Sequence, residues 1–240
     1  MTAVLYSVSG GVATLTLNRP ESRNALNQEM CDRLISISQE IQHDKEARLV
    51  LVRANGPVFC AGADLKERQG MSETQVRERR KKGFAAYAAL EALPMPVVAV
   101  VDGPAVGSGC EIAGACDYIV ATPAASFRTP EATRGTVGAT QRLPRILGKR
   151  LAKDLMFTGR TLSAEEAREA GLVSRLVPAF DLEKIISEIK AEILKAPPGA
   201  LRLAKHCIDR GVELDPQGAL DTEISAIEEQ LAGGSWMGKK

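Results

Sequence analysis

Residues 97–111, VVAVVDGPAVGSGCE, join an apolar run to a glycine-rich turn and the beginning of a helix. The five apolar residues from Val97 to Val101 predict a strand that is buried on both faces of a sheet. The turn leads to Glu111, and the residues after it are again mostly apolar. Because a buried carboxylate is costly without a partner or a task, Glu111 is a candidate functional residue.

Two further segments follow predicted strands in the same way. Residues 59–66, FCAGADLK, come after a short apolar strand, and residues 127–131, FRTPE, come after the predicted strand Asp117–Ala121. Ligand sites of open α/β sheets lie beyond the carboxyl ends of strands. Carboxylates that converge from separate loops suit general acid–base catalysis, so Glu131 is a second candidate. Backbone N–H groups at the glycine-rich turns suit the stabilisation of a developing oxyanion.

The hydrophobic pattern predicts alternating strands and helices up to Thr129 and mostly helices after it. The predicted strands are Val4–Val8, Val12–Leu17, Leu49–Val52, Val97–Val101, Asp117–Ala121 and Val173–Val177. The predicted helices are one capped by Asn27, then Glu73–Leu93, one that follows the glycine-rich turn within Gly103–Ala115, one opened by Ser163, and a series from Asp181 to about Leu231. We therefore expect an α/β core over residues 1–180 and a helical region over residues 181–240. Since the same alternation also fits a doubly wound sheet, the pattern alone leaves the architecture open.

The composition is that of a globular protein without a strong charge bias. Lys and Arg number 31 against 30 Asp and Glu, and the net charge of +1 argues against a nucleic-acid partner. The run Val97–Val101 is too short to cross a bilayer, and the first residues lack a signal- or transit-peptide pattern, which predicts a cytoplasmic protein without a membrane partner. The 5 cysteines form no C-x-x-C pair, which predicts reduced thiols.

The glycine-rich turn fails to match two common motifs. Ile112 stands where a dinucleotide-binding loop has its third glycine, and Val106 stands where the nucleophile turn of a serine hydrolase has its first. The only histidines, His43 and His206, are predicted at surface or packing positions on helices. These mismatches weigh against a dinucleotide-binding protein and against a serine hydrolase.

The predicted helix Glu73–Leu93 carries a basic cluster that could hold ligand phosphates or nucleic acid. Its members are Arg77, Arg79, Arg80, Lys81 and Lys82. Since Glu73 and Glu78 dilute the charge, we expect a solvated helix face rather than a binding site.

In their order and spacing, the three segments resemble the enoyl-CoA hydratase (crotonase) superfamily. The resemblance runs from Val4 to about Pro178 and rests also on four shorter stretches, Asn18–Pro20, Asn24–Asn27, Thr140–Arg145 and Ala170–Val173. It implies an α/β fold of repeated ββα turns in a right-handed spiral, followed by a helical C-terminal trimerisation region. It also implies a homotrimer, commonly assembled as a dimer of trimers.

Members of that superfamily hold the thioester carbonyl of an acyl-CoA between two backbone N–H groups, which by position would belong to Ala63 and Ser108. The second place is usually a glycine, but a main-chain donor tolerates serine if the backbone conformation permits. The resemblance further implies contacts to the substrate or its coenzyme A portion from Arg23, Ala25, Ala61, Gly62, Asp64, Leu65, Lys66, Gly107, Pro130 and Gly135. It implies no metal and no separate cofactor, since coenzyme A enters as part of the substrate.

The superfamily catalyses several reactions, which its carboxylates distinguish. Hydratases carry both acids, at the places of Glu111 and Glu131, whereas isomerases often keep only one. The resemblance therefore implies hydration of a 2-enoyl-CoA, in which Glu131 exchanges the proton at the α-carbon while Glu111 orients and deprotonates the water. An enoyl-CoA isomerase and a catalytically silent acyl-CoA-binding or RNA-associated paralogue stay open as alternatives.

Two stretches depart from the pattern of the superfamily. The loop after Gly135, Thr136 to Ala139, is about three residues shorter than in many hydratases, which leaves the size of the acyl group open. The C-terminus is also brief, and Trp236 could replace part of the cover that a final helix gives to the coenzyme A site.

Overall fold

The structure is a computed structural model that describes residues 2–233, an α/β arrangement with two sheets. The strands in this range are β1 (Val4–Ser9), β2 (Val12–Leu17), β3 (Leu49–Ala54), β4 (Val97–Val101), β5 (Pro104–Val106), β6 (Tyr118–Ala121), β7 (Ser126–Arg128), β8 (Thr161–Ser163) and β9 (Arg175–Leu176). The α-helices are α1 (Gln28–His43), α2 (Glu73–Glu91), α3 (Ser108–Gly114), α4 (Arg142–Thr158), α5 (Ala164–Glu169), α6 (Leu182–Lys195), α7 (Pro198–Gly211) and α8 (Pro216–Ala232).

The larger sheet has the strand order β1-β2-β3-β4-β6-β9. β1 and β2 form the predicted antiparallel hairpin, and the other neighbouring strands pair in parallel. Alternate residues of the central strands face two separate cores. Val50 and Ala99 point into the main core, whereas Leu51 and Val98 point into a second core beneath α6. This two-sided burial explains why the central strands are continuous apolar runs.

Side-chain caps begin several helices where the sequence predicts them. The Asn27 side chain accepts a hydrogen bond from the backbone N–H of Met30 at the start of α1. Ser163 and Glu166 form the predicted capping box of α5. A second capping box, in which Ser72 faces the third residue of α2, fixes the start of the helix that later covers the site.

The segment Gly103–Ala115, predicted as a glycine-rich turn and a helix, also contains a short strand that the sequence did not predict. Pro104–Val106 forms β5, which pairs in parallel with β7 in a small sheet of order β5-β7-β8, and α3 begins only at Ser108. Gly103 has a φ of 146°, and a Cβ there would lie 2.4 Å from the carbonyl oxygen of Pro57. Glycine is therefore required where the chain leaves β4. Strands of 3 residues are too short to give a periodic signal in the sequence.

The C-terminal helices differ in what they pack against. Helix α6 lays Leu182, Ile186 and Ile189 on the larger sheet, whereas α7 and α8 pack on each other. These two helices leave several large apolar side chains exposed, namely Ile208, Val212, Leu220, Ile224, Ile227 and Leu231. The helical C-terminal region is confirmed, while the trimer and the boundary at residue 180 stay predictions. The expectation for Trp236 lies outside the described residues.

The cysteines are free thiols, four of them buried and Cys207 half-buried. Burial raises the pKa of Cys31 to about 11 and that of Cys60 to about 12, so these thiols stay uncharged at neutral pH and serve as small apolar packing groups. Between residues 2 and 233, no helix combines the length and the apolar character needed to cross a membrane.

Candidate active site

Two glycine-containing turns lie side by side at the edge of a cavity. The N–H of Val106 donates to the carbonyl oxygen of Cys60 at 2.8 Å, and the N–H of Cys60 donates to that of Pro104 at 3.2 Å. Glycines permit this approach, since a Cβ on Gly62 would lie 3.1 Å from the carbonyl oxygen of Val106 and one on Gly109 would lie 2.5 Å from that of Cys60. The turns therefore bring the first two predicted segments into contact.

Ala63 and Ser108, one from each turn, both line this cavity. Within residues 2–233, no carbonyl or side chain accepts a hydrogen bond from the N–H of Ala63, and the N–H of Ser108 precedes the intrahelical hydrogen bonds of α3. Gly107 takes the unusual conformation of the turn, with φ 51° and ψ −105°, so that Ser108 itself begins the helix. The serine therefore needs no special backbone freedom, and its N–H is available to a ligand.

Glu111 lies on α3 and lines the same cavity, although the residue is only 5% exposed. Its Oε2 accepts a hydrogen bond from Nη1 of Arg142 at 2.8 Å. No donor among the described residues bonds to its Oε1, and this oxygen is accessible to solvent. Arg142 thus satisfies one carboxylate oxygen and leaves the other free to accept a hydrogen bond from a ligand or water.

Arg142 is fixed by contacts on two further sides. Its Nη2 and Nε donate to the carboxylate of Glu91 at 2.5 and 3.2 Å, and its guanidinium lies 5.8 Å from the centre of the Tyr87 ring. Burial raises the pKa of Tyr87, and a hydrogen bond with the Ser108 side chain acts in the opposite direction. Arg142 therefore connects Glu111 with the Tyr87 ring, which also lines the cavity. Neither Arg142 nor Tyr87 was predicted from the sequence as a residue of the site.

Glu131 reaches the cavity from the turn that follows β7. Its Oε2 is buried and has no hydrogen-bond partner among residues 2–233. A Cβ on Gly107 would lie 2.3 Å from Oε1 of Glu131, so glycine is needed for the carboxyl group to occupy this place. Desolvation raises the pKa of Glu131 and the charge of Glu111 acts in the same direction, whereas a hydrogen bond with its own backbone and the charges of Arg134 and Arg80 oppose the rise. The environment therefore favours the protonated form of Glu131.

The two carboxyl groups consequently meet in one cavity with different surroundings. Glu111 is paired with a cation, whereas Glu131 is desolvated and forms no ion pair with the described residues. Two carboxyl groups in such contrasting environments can take the roles of base and acid at the same pH. The structure thus brings together four predicted residues from three separate segments, namely Ala63, Ser108, Glu111 and Glu131.

The different environments of Glu111 and Glu131 predict that replacement of each by glutamine changes the stability in opposite directions. Because the folded-state pKa of Glu131 is raised, its contribution to stability is full at low pH and is lost as the pH rises through that raised value. Glu131→Gln should therefore raise the melting temperature at pH ~8 by about 2–4 °C, since removal of a desolvated negative charge beside Glu111 contributes about 1 kcal/mol. Glu111→Gln weakens the ion pair with Arg142 and should lower the melting temperature at the same pH.

Thermal melts of both variants at pH ~4 and pH ~8 check this prediction. The gain in melting temperature from Glu131→Gln should shrink at the lower pH, where a growing share of Glu131 is protonated and carries no charge. If Glu131→Gln raised the melting temperature equally at both pH values, the gain could not come from the charge of Glu131.

Most of the predicted coenzyme A residues lie along the edge formed by the turn that carries Ala63, but they do not line the cavity itself. The N–H of Ala61 donates to the carbonyl oxygen of Arg23 at 3.0 Å, and the N–H of Leu26 donates to that of Gly62 at 2.8 Å. The segments around Arg23 and Ala61 therefore run side by side, with Ala25 half-buried between them. The exposed side chains on this edge are Arg23, Leu65 and Lys66.

Three other predicted residues have positions that fit a structural role. Asp64 accepts hydrogen bonds from Nη1 of Arg19 at 3.0 Å and from two backbone N–H groups at 3.0 and 3.2 Å, so its carboxylate is occupied. Although burial acts to raise it, these hydrogen bonds lower the pKa of Asp64. Pro130 and Gly135 do not line the cavity; Gly135 is exposed and, with a φ of 72°, ends the turn that begins at Glu131.

The expectation of a solvated basic face on α2 is wrong for two residues. Arg79 is 6% exposed; its Nε donates to Glu67 and its Nη2 to the carbonyl oxygen of Leu26, both at 2.6 Å. Arg80 lines the cavity, whereas Arg77 is exposed as predicted. Arginines can be buried where neighbouring segments supply acceptors, and a charge pattern along one helix does not reveal those acceptors.

The family profile described as enoyl-CoA hydratase/isomerase matches residues 7–233 of this chain. The chain belongs to the enoyl-CoA hydratase/isomerase family. A relative named short-chain-enoyl-CoA hydratase, from Clostridium acetobutylicum, is 37% identical over 230 residues, which cover 94% of this chain and 88% of the relative. The crotonase superfamily predicted from the motifs is therefore confirmed.

Solved structures of relatives share the fold. An enoyl-CoA hydratase from Bacillus anthracis superposes with a TM-score of 0.91 at 38% identity, covering 94% of this chain and 90% of that chain. A Thermobifida fusca protein, solved in complex with acetoacetyl-CoA, superposes with a TM-score of 0.88 at 26% identity, covering 97% and 96%. The crotonase-like α/β fold with a helical C-terminal region is thus confirmed for this family member.

Proposed function

We propose that this family member adds water reversibly to a 2-enoyl-CoA thioester and gives a 3-hydroxyacyl-CoA. The observation that carries the proposal is the pair of carboxyl groups at the cavity, Glu111 bound to Arg142 and Glu131 buried without a partner among the described residues. The N–H groups of Ala63 and Ser108 border the same cavity. A base, an acid and an oxyanion site are the groups that such an addition requires.

In the proposed reaction, Glu111 is the base. Water donates a hydrogen bond to Oε1 of Glu111, the oxygen that Arg142 leaves free. As the water oxygen bonds to the β-carbon of the enoyl group, its proton passes to Glu111 and the π electrons move through the α-carbon to the thioester oxygen. The enolate oxygen then accepts hydrogen bonds from the N–H groups of Ala63 and Ser108. Loss of one such donor typically raises a barrier by about 3 kcal/mol.

Glu131 supplies the proton that completes the addition. Because desolvation raises its pKa, Glu131 keeps a proton to higher pH than an exposed glutamate does. The proton passes to the α-carbon, the electron pair of the enolate forms the new C–H bond, and the thioester carbonyl is restored. Glu111 has then gained one proton and Glu131 has lost one, so a proton transfer from Glu111 to Glu131 restores the starting state.

An acyl-CoA substrate is supported by the structural relative that is bound to acetoacetyl-CoA. We assign the coenzyme A portion to the exposed edge of Arg23, Leu65 and Lys66, which lies beside the turn that carries Ala63. Proton transfers and oxyanion stabilisation account for every step of the addition. The proposed reaction therefore needs neither a metal nor a redox cofactor.

The test is an assay of the purified protein with crotonyl-CoA. The ultraviolet absorbance of the conjugated thioester should fall as water adds, and mass spectrometry should detect 3-hydroxybutyryl-CoA. The same protein is then given 3-butenoyl-CoA, and faster formation of crotonyl-CoA than of the hydrated product would indicate an isomerase instead. Tight binding of coenzyme A thioesters without turnover of either substrate would indicate a catalytically silent paralogue.

A further inference from the structure

The cavity that joins Glu111 and Glu131 is small. Its volume is about 90 Å³, whereas ligand pockets commonly measure roughly 300–1,000 Å³. The inference drawn from this size rests on the proposed function, which places the thioester carbonyl at Ala63 and Ser108 and the reacting carbons at the two glutamates. The tail of the acyl group must then fit into the remaining part of the cavity, which α2 and the loop of residues 136–139 enclose.

Arg80 links these two enclosing elements. From α2, its Nη1 donates to Oγ1 of Thr136 at 2.9 Å, and its Nη2 donates to the carbonyl oxygen of Val137. Among residues 2–233, Arg80 forms no ion pair, so these two neutral acceptors define the position of its guanidinium. The neighbouring lining residues on the same two elements are Gly83, Phe84, Gly138 and Ala139.

The loop itself is held close to Glu131. The N–H of Thr136 donates to the carbonyl oxygen of Glu131 at 2.9 Å, and a Cβ on Gly138 would lie 3.0 Å from Cγ of Glu131. Ala139 is buried with a φ of 55°, a conformation that residues other than glycine seldom adopt. A loop of this length, tied at both ends, has few residues with which to open a longer channel.

We propose that this cavity restricts the substrate to short acyl groups, of about four carbons, and that Arg80 sets the limit. A cavity of about 150 Å³ takes up benzene, which has six carbons. By that measure, a cavity of about 90 Å³ takes up a butenoyl group but no substantially longer chain. A longer chain must displace Arg80 from Thr136 and Val137, and loss of two such hydrogen bonds corresponds to about a 10- to 30-fold lower kcat/KM.

The experiment compares kcat/KM for 2-enoyl-CoA thioesters of four, six and eight carbons. For the unaltered protein, kcat/KM should be at least ~10-fold lower with the eight-carbon substrate than with the four-carbon substrate. Arg80→Ala should raise the ratio of eight- to four-carbon activity by at least ~10-fold, since the longer chain then breaks no hydrogen bonds of Arg80. Arg77→Ala, which removes an exposed arginine from the same helix, is the matched control and should leave the ratio unchanged.

A second variant tests the size limit of the cavity while Arg80 stays unchanged. A Cβ on Gly83 would meet only ordinary contacts, at 3.5 Å or more, so Gly83→Ala should fold and narrow the cavity by one methyl group. It should lower the activity on the six-carbon substrate more than that on the four-carbon substrate. Equal activity on all chain lengths, or an Arg80→Ala variant with an unchanged ratio, would overturn the proposal.

Two further outcomes separate this inference from the proposed function. If no thioester is hydrated, the proposed function fails, and calorimetric binding of butyryl-CoA against octanoyl-CoA then tests the size limit by itself. Tighter binding of butyryl-CoA would support the limit, and equal binding would overturn it. A preference of more than ~10-fold for glutaconyl-CoA over crotonyl-CoA would also overturn it, because Arg80 would then recognise an anionic acyl end.

Discussion

Glu131→Gln lowers the kcat for hydration of crotonyl-CoA by at least about 100-fold, because glutamine has no carboxyl proton to give to the α-carbon. The substitution keeps the shape of the side chain next to Gly107 and Gly138, so the cavity is preserved. The KM should change much less than kcat, since the thioester carbonyl is held by backbone groups. Steady-state kinetics on crotonyl-CoA measure both constants. Glu78→Gln is a suitable control, because Glu78 is an exposed glutamate of α2 that pairs with Lys81.

Glu111→Gln should also lower kcat by at least ~100-fold, but for a different reason. Water then has no base, while Glu131 can still exchange a proton at the α-carbon. Solvent deuterium exchange into butyryl-CoA, followed by NMR, distinguishes the two roles. Exchange should persist in Glu111→Gln and disappear in Glu131→Gln. An unchanged kcat in both variants would sink the two-carboxylate mechanism, and loss of exchange in Glu111→Gln alone would reverse the roles.

Local sequence patterns predicted the larger elements, and they gave candidate site residues that the fold brings to one cavity. The apolar runs of β3 and β4 and the caps at Asn27 and Ser163 depend on neighbouring residues along the chain. The glycines that precede Glu111 mark a close backbone approach, which a sequence can indicate without naming the partner. The small sheet of β5, β7 and β8 was missed because its strands pair only through tertiary contacts.

The partners of the predicted residues could not be predicted in the same way. Arg142 belongs to the stretch TQRLPR that carries part of the resemblance, but its contact with Glu111 joins positions 31 residues apart. Arg80 lies in a basic cluster whose charge pattern fits a solvated face, and its bonds to the loop after Glu131 span 56 and 57 positions. Long side chains find such partners only after the elements have packed. The two glutamates could therefore be predicted as candidates from local patterns, whereas the groups that determine their environments could be found only in the folded structure.

Gly109→Ala should reduce hydration at least ~100-fold and also destabilise the protein, because the added methyl group meets the backbone that joins the two turns. Its Cβ would lie 2.5 Å from the carbonyl oxygen of Cys60, the same oxygen that accepts the hydrogen bond from the N–H of Val106. The turns must separate to relieve the overlap, and Ala63 then moves away from Ser108. Overpacking of this kind costs about 1–3 kcal/mol, which corresponds to a melting temperature lower by roughly 3–10 °C.

Gly114→Ala is the matched control, since Gly114 lies on the same helix, α3, and its Cβ would meet only Ile146 and Arg142 at 3.7 and 3.9 Å. Alanine favours the helix over glycine by up to about 1 kcal/mol, so this variant should keep or gain stability. Thermal melts and crotonyl-CoA kinetics, recorded well below both melting temperatures, separate the two effects. If Gly109→Ala hydrated crotonyl-CoA as fast as Gly114→Ala, the close approach of the turns would not be needed for the reaction. The oxyanion site would then have to lie elsewhere than at Ala63 and Ser108.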